Sequence, residues 1–166
     1  GRKTVRISMV AFSGSGASPE LDGRLVLHPE EESLLLGIQR PARRQQFLLG
    51  RCAAKICMTG ISDLGSCAIV PDVFGKPVVL RPRPFMNEVS ISHTSQLAVA
   101  AVGEFGQALG IDVEIIRAGL AQIGSVILSK DESDELGRFQ YSKAGAREGV
   151  AWSAKESASK AIGRGM

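Results

Sequence analysis

Apolar and polar residues alternate over residues 4–12, which predicts a first β-strand with Val5, Ile7, Met9 and Ala11 on one face. The run Ser13-Gly14-Ser15-Gly16-Ala17-Ser18-Pro19 ends it. That run lacks the Lys-Ser/Thr ending of a phosphate loop and reads as a connection. A short helix is expected from His28-Pro29-Glu30. A longer one is expected over 41–59, where Pro41 suits a first helical position, Leu48, Cys52, Ile56 and Thr59 recur at helical spacing, and Gly60 marks the end. Strand patterns then take over at 67–70, 78–80, 89–92 and 97–102, with Arg81-Pro82-Arg83-Pro84 as an exposed connection. One more strand is expected at 109–115, followed by helices at 120–128, 131–139 and 147–162. This order is an α+β mixture without a regular βαβ repeat. The restart of strand then helix at Leu109 suggests two halves, 1–106 and 107–166.

Composition narrows the picture. With 166 residues, 44% of them hydrophobic, the chain has the material for one domain or two small halves, and disorder is excluded. Twenty Lys and Arg against seventeen Asp and Glu give a net charge of +3, too little for a dedicated nucleic-acid surface. Six Phe, one Trp and one Tyr, without basic and aromatic residues interleaved, point the same way. Cys52, Cys57 and Cys67 form no CxxC pair and are expected as buried, reduced thiols in the cytoplasm. No apolar run approaches the roughly 18 residues of a membrane span, and Gly1-Arg2-Lys3 leads into a strand pattern rather than a signal-peptide core.

Three constellations could carry chemistry. In Gly110-Ile111-Asp112-Val113-Glu114, alternation on a strand puts Asp112 and Glu114 on one face, roughly 6 to 7 Å apart, where they could converge on a hard cation such as Mg²⁺. Leu109, Ile111, Val113 and Ile115 would anchor the other face. A half-buried strand with a solvated acidic face satisfies the same spacing. In Trp152-Ser153-Ala154-Lys155-Glu156-Ser157, continuing to Lys160, a helix aligns Trp152, Glu156 and Lys160 in one stripe. A surface Glu156–Lys160 pair and a Ser153/Glu156 capping box are the plain alternatives. The single tryptophan argues instead for a stripe turned inward. Ser92 and His93 close a strand and enter a polar turn able to hold a phosphate. With only His28 and His93 and no cysteine pair at ligand spacing, zinc is disfavoured. The absence of a Gly-x-Ser-x-Gly elbow disfavours Ser-His-Asp hydrolase chemistry. The basic run Arg40-Pro41-Ala42-Arg43-Arg44 is followed by Arg51 and Lys55, and Arg44, Arg51 and Lys55 at helical spacing make either an anion-binding face or a solvated one.

Together, Phe47-Leu48-Leu49-Gly50-Arg51, Phe74-Gly75-Lys76-Pro77, Val89-Ser90-Ile91-Ser92-His93-Thr94, Gly110 to Glu114 and Trp152 to Lys160 resemble the surfactin-type 4′-phosphopantetheinyl transferases, from about Arg40 onward. The resemblance implies a pseudo-twofold pair of α/β halves with coenzyme A bound between them. It implies Asp112, Glu114 and Glu156 as Mg²⁺ ligands, and Asp112, Glu156 and Lys160 as the catalytic set. Lys76, Ser92, His93 and Lys160 would contact coenzyme A, joined by Arg43 and Arg44. The implied reaction is Mg²⁺-dependent transfer of the phosphopantetheine arm to a serine of an acyl or peptidyl carrier protein, releasing 3′,5′-ADP. Neither a membrane nor a nucleic acid is an expected partner. The family pattern continues past the Trp-Ser-x-Lys-Glu-Ser helix with further strands. The second half is therefore expected to be incomplete at the C-terminus, with exposed edges that favour oligomerisation where the full-length type would be a monomer. Two other readings stay open: a non-catalytic fragment that binds coenzyme A or a carrier, and a Mg²⁺-dependent phosphohydrolase using water as nucleophile.

Overall fold

Strand β4 (Asn87–His93) sets the architecture, because its residues alternate between two environments. Val89 and Ile91 face the main helix, whereas Ser90 and Ser92 turn to the other side of the sheet. The computed structural model describes residues 3–11, 22–81 and 87–163. In it, β4 lies at the centre of a five-stranded antiparallel sheet with β1 (Arg6–Ala11), β2 (Ala68–Pro71), β3 (Pro77–Arg81) and β5 (Leu97–Glu104), in the order β1-β5-β4-β3-β2. The β4–β5 register sets Ser90 opposite Ala101 and Ser92 opposite Val99.

Helix α3 (Pro41–Thr59) crosses one face of the sheet. It begins at Pro41 and stops at Gly60, as its sequence signals require. Leu49, Ala53, Ala54 and Cys57 meet Ile69, Val79, Val89, Ala98, Ala100 and Val102 in the main core. Alanines on both sides of this contact leave no long side chains to fill a gap, so helix and sheet must approach closely to exclude voids. The short helices α1 (Gly23–Val26) and α2 (Pro29–Leu36) cover the flank of α3 through Val26, Leu27, Leu48 and Cys52. His28 caps α2 reciprocally with Glu31. All three cysteines are buried and free, and burial pushes the Cys67 thiol up to about 11.

β1 forms as expected, and the face that carries Val5, Ile7, Met9 and Ala11 is its exposed one. Ile7 and Met9 are 68% and 69% exposed, and the core side carries Ser8, which donates to the Ala53 carbonyl, and Val10. A correction concerns residues 109–115. They join no sheet; the segment runs between Ser90 and Ser92 of β4 and a C-terminal helix, pairing through side chains instead of a ladder. Beyond it lie a 3₁₀ turn (Ala118–Ile123) and helices α4 (Gly124–Ile127), α5 (Lys130–Leu136) and α6 (Ala146–Ala161). Ile127, Leu128 and Ala151 pack there with Leu120 and Leu136. The class is α+β, and the region after Glu104 contributes helices but no strand among the described residues. The glycine- and serine-rich run at 13–19 and the prolines at 82 and 84 lie outside the described residues. No helix among the described residues is long and apolar enough to cross a membrane.

Candidate functional site

The side chains of Ser90 and Ser92 reach segment 110–112 from the sheet. Ser90 Oγ accepts the Ile111 N–H at 3.1 Å, and Ser92 Oγ donates to Asp112 Oδ1 at 2.7 Å. From the opposite side α6 approaches so closely that a Cβ built on Gly110 would lie 1.8 Å from the Ser157 carbonyl oxygen. Glycine is therefore required at this position for contact with the helix backbone. The approach brings Lys160 Nζ to 2.7 Å from Asp112 Oδ1 and 3.3 Å from the Ile111 carbonyl. Asp112, whose side chain is 8% exposed, also takes a hydrogen bond from Ser153. Burial alone would raise its pKa; the bonds from Lys160, Ser92 and Ser153 and the charge on Lys160 outweigh that and hold it below the ordinary carboxylate range.

Both plain readings of the Trp152–Lys160 segment fail on this geometry. Ser153 lies well inside α6, where no cap is needed, and Lys160 pairs with Asp112, across the site, instead of with Glu156. Trp152, however, is 37% exposed, so the stripe is not turned fully inward. Glu156 shares the helix face of Ser153, Ser157 and Lys160, is half-buried, and has no hydrogen bond or ion pair with a described residue. Lys155 turns to the other side of α6. Its Nζ donates to the Ile127 carbonyl at 2.6 Å and to Glu132 at 2.8 Å, tying α4 and α5 to α6.

Arg40, Arg43 and His93 line a cleft of about 520 Å³ between the start of α3 and the strands, which Phe47, Gly75, Pro77 and Ile91 also border. A second cavity of about 220 Å³ shares Gly75, Pro77 and Ile91 with the first and adds Lys76, Ser90 and Lys160. The Gly75–Lys76 turn is built by Asp72, whose Oδ1 accepts the Phe74 and Lys76 N–H groups, and by Gly75 at φ +86°. Lys76 Nζ bonds Glu88 at 2.9 Å. Burial foremost, then the nearby charges of Arg43 and Lys160, hold the His93 imidazole below its ordinary pKa, so it is neutral at pH 7; its Nδ1 is buried without a partner among the described residues.

The expected anion-binding residues thus separate into two groups. Arg43 lines the cleft, and Arg40, which belongs to the basic run but was not among the expected contacts, lines it too. Arg44 turns away to cap α2, donating to the Leu35 and Ile38 carbonyls at 3.1 and 3.4 Å. Lys55 is fully buried against Glu31 and the Val26 carbonyl, so Arg44, Arg51 and Lys55 do not act as one anion-binding face, although Arg51 borders the cleft. Ser90 is the other residue the sequence reading passed over; the apolar–polar alternation Val89-Ser90-Ile91-Ser92 was the signal for it.

The three carboxylates do not form one donor set in this structure. Asp112 Oδ1 already accepts from Lys160 and Ser92, and Glu114 is exposed with Oε1 2.9 Å from the N–H of Ile115. Among the described residues no group of three or more His, Cys, Asp and Glu side chains is arranged to hold a metal ion. A cation such as Mg²⁺ demands near-octahedral oxygen ligation, which the side chains do not fit as they stand.

Residues 108–166, about a third of the chain, match the family model of the 4′-phosphopantetheinyl transferase superfamily. Among solved structures the chain is similar to a holo-(acyl-carrier-protein) synthase from Bacillus anthracis str. Ames in complex with CoA (3′,5′-ADP), at 21% identity and a TM-score of 0.45 over 60% of this chain and 93% of that one. It is also similar to the holo-[acyl-carrier-protein] synthase of Thermotoga maritima, at 23% identity and a TM-score of 0.46 over 66% and 68%. None of the curated proteins compared matches the chain.

Proposed function

We propose that the chain transfers the 4′-phosphopantetheine arm of coenzyme A to a serine hydroxyl of an acyl or peptidyl carrier protein, releasing 3′,5′-ADP. The observation that carries this reading is the pair of adjoining cavities with cations at both ends, Arg40 and Arg43 beside His93 in one, Lys76 and Lys160 in the other. Coenzyme A presents anionic phosphate at two separated places, a 3′-phosphate and a pyrophosphate, and such a ligand needs positive charge at both. The superfamily match over 108–166 supports the same reading from the segment that supplies Asp112, Glu156 and Lys160. In it, residues 1–106 hold the nucleotide, with Ser92, His93 and Lys76 positioning it, and 107–166 bring the reacting groups.

The carrier hydroxyl attacks the β-phosphorus, which bears the pantetheine arm. A new O–P bond forms as the bond to the α-phosphate oxygen breaks. Glu156, the carboxylate without a partner among the described residues, accepts the hydroxyl proton. The departing 3′,5′-ADP carries the extra negative charge, and the Lys160 ammonium stabilises it once it has left Asp112. A Mg²⁺ requirement belongs to the proposal as a quantity to measure; when bound, the ion would neutralise pyrophosphate charge.

Mass measurement of an apo carrier incubated with the chain, coenzyme A and Mg²⁺ tests this directly. The carrier is expected to gain the arm, and Glu156→Gln is expected to slow transfer by about 10²–10⁴-fold. An unchanged carrier mass beside a working transferase would overturn the proposal. Release of 3′,5′-ADP without a carrier would favour the phosphohydrolase, and binding without product the non-catalytic fragment.

The neutral His93 makes a separate prediction. An anionic phosphate beside it offsets the charges of Arg43 and Lys160 and raises its pKa back toward the ordinary histidine range, so coenzyme A binding is expected to take up a proton below neutral pH. Calorimetry in two buffers of different ionisation enthalpy measures the uptake. Uptake that persists undiminished in His93→Gln would exclude His93 as its source.

A further inference from the structure

The second half of the chain repeats a unit of the first. In the first, α1 ends at Val26, His28 caps α2 reciprocally with Glu31, and Lys55 of α3 donates to the Val26 carbonyl at 2.7 Å and to Glu31 Oε2. In the second, α4 ends at Ile127, Ser129 caps α5 reciprocally with Glu132, and Lys155 of α6 donates to the Ile127 carbonyl at 2.6 Å and to Glu132 Oε2 at 2.8 Å. Both capped helices stop at a glycine, Gly37 and Gly137, whose N–H reaches the carbonyls two and four residues back. Lys155 is therefore to α6 what Lys55 is to α3.

The two copies differ in burial. The Lys55–Glu31 pair is sealed under β2, whose Ile69 N–H reaches Glu31 Oε1, and it belongs to the core. Lys155 and Glu132 are 40% and 41% exposed, so their pair adds little to stability. The helix face beside the repeated lysine has changed as well: Ala53, Ile56 and Gly60 of the first copy correspond to Ser153, Glu156 and Lys160 of the second. Ser153 and Lys160 bond Asp112, and Glu156 is the base of the reaction proposed above. We propose that Lys155 is a positioning residue for the transfer: by holding α6 to the Ile127 carbonyl and Glu132, it sets Glu156 and Lys160 against segment 110–112. The helix is gripped from two sides. Gly110 lets that segment touch the α6 backbone at Ser157 and Ala161, and Lys155 ties the other side to the end of α4 and the start of α5. Two acceptors fix the ammonium in direction as well as distance, so α6 cannot turn or slide without stretching one of the bonds. Glu156 follows Lys155 by one residue, about 100° further round the helix, and moves with it.

This role rests on the transferase reading for its effect on rate but not for the placement of α6, and the two are measured separately. In carrier labelling by the whole chain, Lys155→Met is expected to lower kcat about tenfold or more, while KM for coenzyme A changes by less than about twofold, because Arg43, Lys76, Ser92 and His93 lie in the first half. Its urea midpoint should stay near that of the unmodified chain, which makes the loss one of rate per folded molecule. Lys155→Arg keeps donors for both acceptors and should recover most of the turnover. A kcat within about twofold of normal in Lys155→Met, a loss matched by a fall in the folded fraction, or no recovery in a folded Lys155→Arg would overturn the proposal. Without coenzyme A or carrier, acylation of amines followed by peptide mass spectrometry reads the place of Lys160. A displaced α6 loosens the Lys160–Asp112 pair, so Lys160 in Lys155→Met should be modified about two- to fivefold faster. An unchanged rate would overturn the placement role whether or not the chain labels a carrier, so this failure is distinguishable from failure of the transferase reading. Should Lys155→Met fail to fold, Glu132→Gln keeps an oxygen for the Ser129 N–H and removes the charge facing Lys155. It should slow labelling about threefold or more and speed acylation of Lys160, and an unchanged rate in either would overturn the proposal.

Discussion

Glu31→Ala is expected to cost the folded state about 3–5 kcal/mol, a large part of the stability of a domain this size. Glu31 is fully buried and holds three elements at once. Its Oε2 accepts the His28 N–H at the start of α2 and the Lys55 ammonium from α3, and its Oε1 accepts the Ile69 N–H of β2 at 3.1 Å. Arg51 Nε lies 3.1 Å from the same Oε1 but off the line of its N–H bond, so the contact is an ion pair without a hydrogen bond; its guanidinium rests over the Phe47 ring, 4.5 Å from the centroid. Truncation would leave the Lys55 cation buried with only the Val26 carbonyl for company and orphan the Ile69 N–H. Burial already lowers the pKa of Lys55, opposed by its bond and attraction to Glu31, so the loss of Glu31 drives the lysine further toward its neutral form. The double variant Glu31→Leu/Lys55→Met removes both charges and refills the volume, and should lose much less than the two single changes added together. Urea unfolding followed by circular dichroism measures all of these. A loss below about 1 kcal/mol in Glu31→Ala would show that the network adds little beyond packing.

Gly110→Ala is expected to slow carrier labelling by about a hundredfold or more while most of the helix content survives. The added methyl would meet the Ser157 carbonyl at 1.8 Å, the Ser157 carbonyl carbon at 2.8 Å and the Ala161 nitrogen at 2.9 Å, all of them backbone atoms of α6 that cannot swing aside. Segment 110–112 must therefore back away from the helix, taking Asp112 from Lys160 and Ser153. Gly119→Ala is the matched control, because nothing lies within 4 Å of its added Cβ. Near-normal turnover in Gly110→Ala, or an equal loss in Gly119→Ala, would sink the claim that this close contact sets the site.

Local pattern was enough for α3, because a proline start, a helical apolar repeat and a glycine stop all act within a few turns. The helices at 130–136 and 146–161 and strands β2 to β5 were legible for similar reasons, to within a few residues. At β1 the alternation identified a strand but left open which face is buried. Period-2 alternation states which residues share a side but not which side meets α3, and here the side with Ser8 and Val10 meets it. At 109–115 the same alternation suggested a strand, yet the chain there finds its partners in serine side chains and the backbone of α6.

The amino-acid order by itself determined α3, the helices at 130–136 and 146–161 and the sheet strands, together with the glycine and proline punctuation, and it singled out Asp112, Ser92, Glu156 and Lys160 as candidates. Only the tertiary structure decided partners: Lys160 joined to Asp112 across 48 residues, and Lys55 claimed by Glu31 across 24. Periodicity encodes the direction of a side chain about its own helix or strand axis, so it cannot tell a solvated cation from one buried against a distant carboxylate. That choice is made by the packing of whole elements, in which desolvating a charge is tolerable only where an opposite charge or an acceptor has been brought to meet it.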